Sequence, residues 1–407
     1  MLSDSTNSGY IDETGFGGPK TTGAQLQVNN QKQESYFRIP ITVLKSWYET
    51  KQNVNKKTGI QYDLSYTAVY LTSSAVIDGN SNSKSTGGGR LDINFGWNLV
   101  GRKSGKNKGI LFARLNSRHT YGSGTSPMFH GIFESGYYGL PAVGFSDYSF
   151  RMLELNWHQS LANNRLHFVI GKVDPTNYFN FHGIIVPWQH FLGYGSSVSG
   201  TVNWPNQGLG GVASYNRDKW YIMAGVHDIY GDLYNDGDFF DLGKNFDDGN
   251  LFTAVEVGFF PSFQERYFRK VSFTYWSGDP YTSAGGSPIS SGSGMAFSAH
   301  WFFQDKFIPY ARFGFSDGNG ENAFYEKDIQ IGHGLRFKSH DIFGTSFSWT
   351  ETNISGTKSQ MTVEVFYRFN LTEHLEITPD FQWIINPTLN SNINSLAYFG
   401  IRGRATL

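Results

Sequence analysis

Along most of this chain, apolar and polar residues alternate one by one. Ile60, Tyr62, Leu64, Tyr66, Ala68 and Tyr70 share one face, with Gln61, Asp63, Ser65 and Thr67 on the other. Leu91, Ile93, Phe95, Trp97 and Leu99 alternate in the same way with Arg90, Asp92, Asn94, Gly96 and Asn98. A period of two belongs to strands, because successive side chains point to opposite faces, and each segment therefore has a greasy and a polar side. The pattern recurs near 109–119, 149–159, 165–172, 208–216, 219–228, 251–260, 269–277, 295–303, 307–315, 328–338, 342–351, 359–369, 372–384 and 396–407. With the first two segments this predicts about sixteen strands, the signature of a membrane-spanning barrel.

The connections support an up-and-down order. Short ones fall at Ser160 to Asn164, Arg217-Asp218, Gln304-Asp305, Ser339 to Asp341 and Asn370-Leu371. Long ones, rich in Gly, Ser, Asn and Asp, fall at 120–148, 173–207, 229–250, 278–294, 316–327 and 385–395. Short turns on one end and long loops on the other are the habit of outer-membrane barrels. The fold class expected is therefore all-β: a transmembrane antiparallel up-and-down β-barrel of about sixteen strands, with a short N-terminal helix.

Soluble sandwiches, propellers and β-helices also alternate. Here nearly every strand carries large aromatics on its apolar face, more than one soluble core could pack, and no repeat of 20–50 residues is present. Aromatics make up 17% of the 407 residues and charged residues only 16%, against about 25% charged in soluble domains. The longest apolar runs, such as Ile110 to Phe112 and Trp301 to Phe303, fall far short of the ~20 residues of a membrane helix. Cysteine is absent and the net charge is −1, which leaves no disulfide framework and no basic field for nucleic acid.

Residues 1–35 are polar and aperiodic and are expected to be a flexible arm. Residues 36–57 are expected to be a helical segment, with an amphipathic helix over 41–55, at the periplasmic mouth or in the lumen. Residues 58–407 form the barrel. No secretory leader is read at Met1-Leu2-Ser3, so the expectation is an exported chain in mature form. Outer-membrane lipid and lipopolysaccharide are the expected surroundings, with the chain as monomer or trimer.

The aromatic-aliphatic face must meet lipid, so the other face lines the pore. On that parity the candidate pore-lining residues are Arg90, Asp92, Arg114, Arg118, Glu154, His158, Glu256, Lys270, Arg312, Arg336, Glu364, Asp380 and Arg402, with Trp188 from a loop unusually rich in aromatics. Many such residues simply pair across strands. As a site, Arg–carboxylate pairs would hydrogen-bond hydroxyls and rings would stack on sugar faces. The near balance of inward charge suits a neutral solute, whereas an anion pore should show a lopsided Arg/Lys ring.

No G-x-S-x-G and no phosphate loop occurs, and His119 and His130 lie near serines without a third partner, so catalysis, cofactor and metal are not expected. The Asp-rich stretch 228–248 is read as a solvated acidic loop in preference to a calcium site, since it lacks the spacing of a calcium loop.

Several segments resemble the carbohydrate-selective porins of the OprB family. Trp47 to Tyr70 (WYETKQNVNKKTGIQYDLSYTAVY) is similar to that family's opening helix and first strand, followed by Gly87-Gly88-Gly89. Gly171-Lys172-Val173-Asp174 with Phe179, and Trp220 to Asp228, resemble its mid-chain strands. The closing hairpin is the best match: Leu375, Thr378-Pro379-Asp380, Gln382 to Pro387, and Phe399-Gly400-Ile401-Arg402. The resemblance spans about residues 41–407. It departs at Leu407, where outer-membrane proteins usually end in Phe, and residues 1–35 have no counterpart. It implies a sixteen-stranded diffusion channel preferring sugars. The alternative is a general or organic-acid-selective porin without sugar specificity.

Overall fold

The computed structural model describes residues 16–30, 35–37, 44–78, 83–231, 249–262, 265–283, 286–304, 306–337 and 341–407. Sixteen antiparallel strands close into one barrel. In order they are β1 (Ile60–Ser73), β2 (Ser85–Val100), β3 (Gly109–Thr120), β4 (Tyr148–Leu161), β5 (Leu166–Val173), β6 (Gly208–Arg217), β7 (Trp220–Asp228) and β8 (Leu251–Phe259). The second half comprises β9 (Arg269–Gly278), β10 (Gly292–Trp301), β11 (Phe307–Ser316), β12 (Tyr325–Arg336), β13 (Ile342–Thr352), β14 (Gln360–Thr372), β15 (Leu375–Ile385) and β16 (Ser395–Thr406). Each strand pairs with its neighbour in sequence, and β1 pairs with β16, Tyr70 opposite Ile401, to close the ring. A closed ring leaves no edge whose backbone would face hydrocarbon unpaired. Each predicted segment coincides with one strand, with ends displaced by a few residues.

Burial is inverted relative to a soluble protein. Ile170 is 59% exposed and Trp220 64%, and Phe273, Phe315, Ile331 and Phe399 are also exposed. Arg90 and Arg312 are 2% exposed and Arg402 1%. Guanidinium groups inside and rings outside is the arrangement a bilayer imposes on a barrel.

The helix expected over 41–55 is α2 (Lys45–Thr58); α1 precedes it in the lumen, as described below. α2 is mostly exposed and ends at Gly59, whose φ of 80° and N–H to the Asn55 carbonyl (2.8 Å) close its last turn. It sits at the short-turn mouth, where Tyr48 meets His374 and Lys51 Nζ donates to the Leu407 carbonyl (3.0 Å).

The arm expected over 1–35 is not structureless throughout. Thr22–Asn30 forms α1, with most residues buried inside the barrel. Leu26 packs on Ile110 and Phe112, and Val28 joins the cluster of Phe181, Ile185 and Tyr267. Those few apolar residues suffice to seat one helix against the wall, which composition alone does not reveal. Residues 1–15 and 31–34 lie outside the described residues.

Candidate functional site

The lumen is filled chiefly by the connection 174–207. It starts at an Asp174 cap, whose carboxylate accepts from the Thr176 N–H (2.9 Å), and runs around the inner wall from β8 to β16. Nearly every residue in it is buried. A chain inside a barrel needs partners for its backbone groups, and the wall supplies them. Glu256 accepts from the Asn180 N–H (2.7 Å), Glu364 from the N–H groups of Leu192 (2.5 Å) and Gly193 (3.1 Å), and Asp328 from the Gly200 N–H (3.1 Å). Arg402 donates to the carbonyls of Pro187 and His190, the latter at 2.9 Å. Arg312 donates to the Asn180 side chain (3.0 and 3.1 Å). Burial drives the imidazoles of His182 and His190 well below their usual range, with Arg312 beside the first and Arg368 beside the second.

The candidate residues therefore fall into two groups. Glu256, Lys270, Arg312, Glu364, Asp380 and Arg402 lie under or against the infolded loop. Lys270 pairs with Glu256 (2.9 Å) and covers the Phe181 ring (3.6 Å), and Asp380 accepts from Gln382 (3.1 Å). His158 bonds Tyr178 (2.9 Å) beneath Phe16, and Arg336 sits half-buried at the short-turn end of β12. None of these eight lines the open cavity described next.

The second group does. The loop covers the β2–β4 wall only in part, and there Arg90, Arg114, Arg118, Glu154 and Trp188 border a cavity of about 1240 Å3, counted out to open solvent. Asp92 stands behind it, gripping Arg90 through both oxygens (2.5 and 2.8 Å). Arg114 bridges Asn94 (2.9 Å), Glu154 (3.2 Å) and the Lys20 carbonyl (2.7 Å). Trp188 lies flat over the Arg90 guanidinium at 3.8 Å. Arg118 is fixed by Asn116 (2.9 Å) and Ser146 (3.0 Å). Tyr194, Trp204 and Phe324 form the facing wall.

Most of the remaining lining was not among the sequence candidates, including Lys20, Tyr148, Arg151 and Asp174. An irregularity in the β3–β4 ladder between Arg114 and Leu115 brings Arg151 opposite Asn116 and so turns it inward against simple parity, and a second, between Asn116 and Arg118, brings Tyr148 opposite Arg118. Arg151 and Arg118 then both lie against the Tyr148 ring, at 4.6 and 4.8 Å. Lys20 arrives with the chain leading into α1, and its Nζ donates to Thr176 (2.6 Å). Burial lowers its pKa to about 8, helped by Arg312, Arg114 and Arg90 and opposed by Asp174. The balanced charge expected of the whole lumen does not hold here: five cations border the cavity against two carboxylates among the described lining residues.

On the far side of α1, a second space of about 1130 Å3 opens between α1 and α2, bordered by Leu26, Asn30, Tyr48 and Lys51. α1 thus stands between an outer cavity and an inner vestibule. Among the described residues, no three His, Asp or Glu side chains converge as a metal site. The Asp-rich stretch lies outside the described residues from 232 to 248.

The model of the carbohydrate-selective porin, OprB family, matches residues 342–407, the last four strands. No curated protein sequence matches the chain. Among solved structures, the high-pH form of Pseudomonas putida OprB is similar with a TM-score of 0.70 at 14% identity, covering 92% of this chain and 99% of that one. Its low-pH form gives 0.53 at 12% identity, covering 93% and 100%. A mutant porin of Rh. blastica gives 0.50 at 11% identity, covering 86% and 100%. At these identities the structural likeness concerns the fold, an outer-membrane porin barrel.

Proposed function

We propose that this chain, a sixteen-stranded barrel whose last four strands match the OprB family model, is a porin that passes small carbohydrates by passive diffusion across the outer membrane. The observation that carries the reading is the pairing of fixed guanidinium groups with aromatic faces in one cavity. Arg90 is clamped by Asp92 and capped by Trp188, and Tyr148 lies against both Arg118 and Arg151. A guanidinium held by a carboxylate or amide keeps spare N–H donors in a fixed direction, suited to hydroxyls. An aromatic ring offers its face to the apolar side of a sugar. Binding there is weak and multiple, as passage requires. Arg90, Arg114, Arg118 and Trp188 are the residues assigned to solute contact. Of the other candidates, Glu256, Arg312, Glu364 and Arg402 hold the loop that shapes the cavity, and the exposed apolar band meets lipid.

Planar-bilayer conductance with added sugars, together with solute uptake into proteoliposomes, tests this. Mono- and oligosaccharides are expected to reduce the current and to enter faster than amino acids of equal size. Equal rates for sugar and amino acid would overturn the sugar preference and leave a general porin.

A further inference from the structure

Resting on the sugar-porin reading, we propose that the preferred solute is an acidic sugar, a carbohydrate carrying a carboxylate, received at Arg118 and Arg151, which both lie against Tyr148. The cavity's charge is the first reason. Its lining cations are Lys20, Arg90, Arg114, Arg118 and Arg151, and its lining carboxylates are Glu154 and Asp174. Glu154 is engaged by Arg114 and Asn177, and Asp174 by Thr176 and Gln207. Behind the lining, Asp92 balances Arg90, while Glu256, Asp328 and Glu364 stand elsewhere, bound to the infolded loop.

Reach is the second reason. Arg90 and Arg114 are buried, whereas Arg118 and Arg151 are only partly so and open on the cavity. The hydrogen bonds of Arg118 go to neutral groups, Asn116 and Ser146. A guanidinium fork matches a carboxylate in geometry and makes stronger bonds to it than to a hydroxyl. Low-dielectric walls of one sign also focus the field and concentrate the counter-charge. Trp204 and Phe324, lining rings that no guanidinium covers among the described residues, remain for the sugar ring, so the site reads both halves of such a solute.

The test uses the full chain in proteoliposomes at zero membrane potential, with labelled glucose, gluconate, glucuronate and acetate. Uptake of gluconate and glucuronate is expected to exceed that of glucose by about tenfold, within the range that electrostatic focusing gives. Arg118→Gln with Arg151→Gln is expected to bring that ratio to about one, while Arg118→Lys with Arg151→Lys, inserted and assayed alongside, keeps most of it. Equal uptake of glucose and gluconate would overturn the acidic-sugar proposal and leave the sugar porin standing. Acetate favoured as strongly as gluconate would overturn it in favour of a plain anion pore. No preference for any sugar over size-matched amino acids would bring down the parent reading.

Discussion

Replacing Arg402 by Ala isolates what holds the infolded loop. The guanidinium is 1% exposed and donates to two loop carbonyls, those of Pro187 and His190. Asp380 and Glu364 lie within its electrostatic reach. Hydrogen bonds to a charged group contribute about 1.5–3 kcal/mol each, so the pair contributes about 3–6 kcal/mol. Removal also leaves two buried carboxylates without their cation, which adds to the cost of the seated state. At about 1.4 kcal/mol per tenfold, the population of unseated loop should rise roughly 10²- to 10⁴-fold. The barrel itself should survive, because β16 keeps its full ladders to β15 and β1. The expected result is a larger, noisier single-channel conductance and new protease cleavage within 174–207, with unchanged insertion into bilayers. Wild-type conductance together with wild-type resistance to cleavage would refute the reasoning. It would show that the remaining polar anchors and the packing of Val186, Trp188 and Leu192 against Ile384, Leu396 and Tyr398 hold the loop without Arg402.

Leu26→Asp places a carboxylate against Ile110 and Phe112, at a cost of several kcal/mol that is avoided by releasing α1. Conductance should rise without loss of barrel stability, and an unchanged conductance would mean that α1 does not obstruct the path. Trp188→Ala removes the cap on Arg90 and the Nε1–H bond to Gln25 (2.9 Å). An aromatic ring contact to the solute contributes about 0.5–1.5 kcal/mol, so sugar block measured by current noise should weaken by roughly two- to tenfold at about 1.4 kcal/mol per tenfold. Lys20, with its pKa lowered by burial to about 8, is charged below that pH and neutral above it. Zero-current potentials should therefore show anion preference falling between pH 7 and 9, and Lys20→Gln should flatten that change.

The sixteen strands were legible because a side-chain period of two is imposed on every one by the same bilayer. Sidedness was legible for the same reason: Arg90, Arg114 and Arg402 sit on the parity opposite Ile93, Leu115 and Ile401. Two kinds of residue were not legible. Arg151 is moved to the pore by a ladder irregularity that leaves no mark in the alternation. Lys20 reaches the cavity on a segment whose composition is that of a disordered arm. A third difficulty concerned meaning: parity puts Glu256 and Arg114 on the same face, but only the course of 174–207 separates a loop anchor from a cavity-lining group.

That course has a consequence for charge. A loop inside the barrel brings backbone N–H groups that need acceptors and carbonyls that need donors. Carboxylates on the β8–β14 wall answer the N–H groups, as Glu256, Asp328 and Glu364 do for Asn180, Gly200, Leu192 and Gly193. The carbonyls draw mainly on amides, an indole and Arg402, as Val198 does on Gln330 (2.8 Å), Thr201 on Trp276 (3.0 Å) and His190 on Arg402 (2.9 Å). Under the loop these carboxylates stand beside Lys270, Arg312 and Arg402, so charge there stays matched. Among the described residues, the excess of cations is confined to the cavity bordered by the β2–β4 wall. That wall is only partly covered by the loop, and there the arginines border the open cavity.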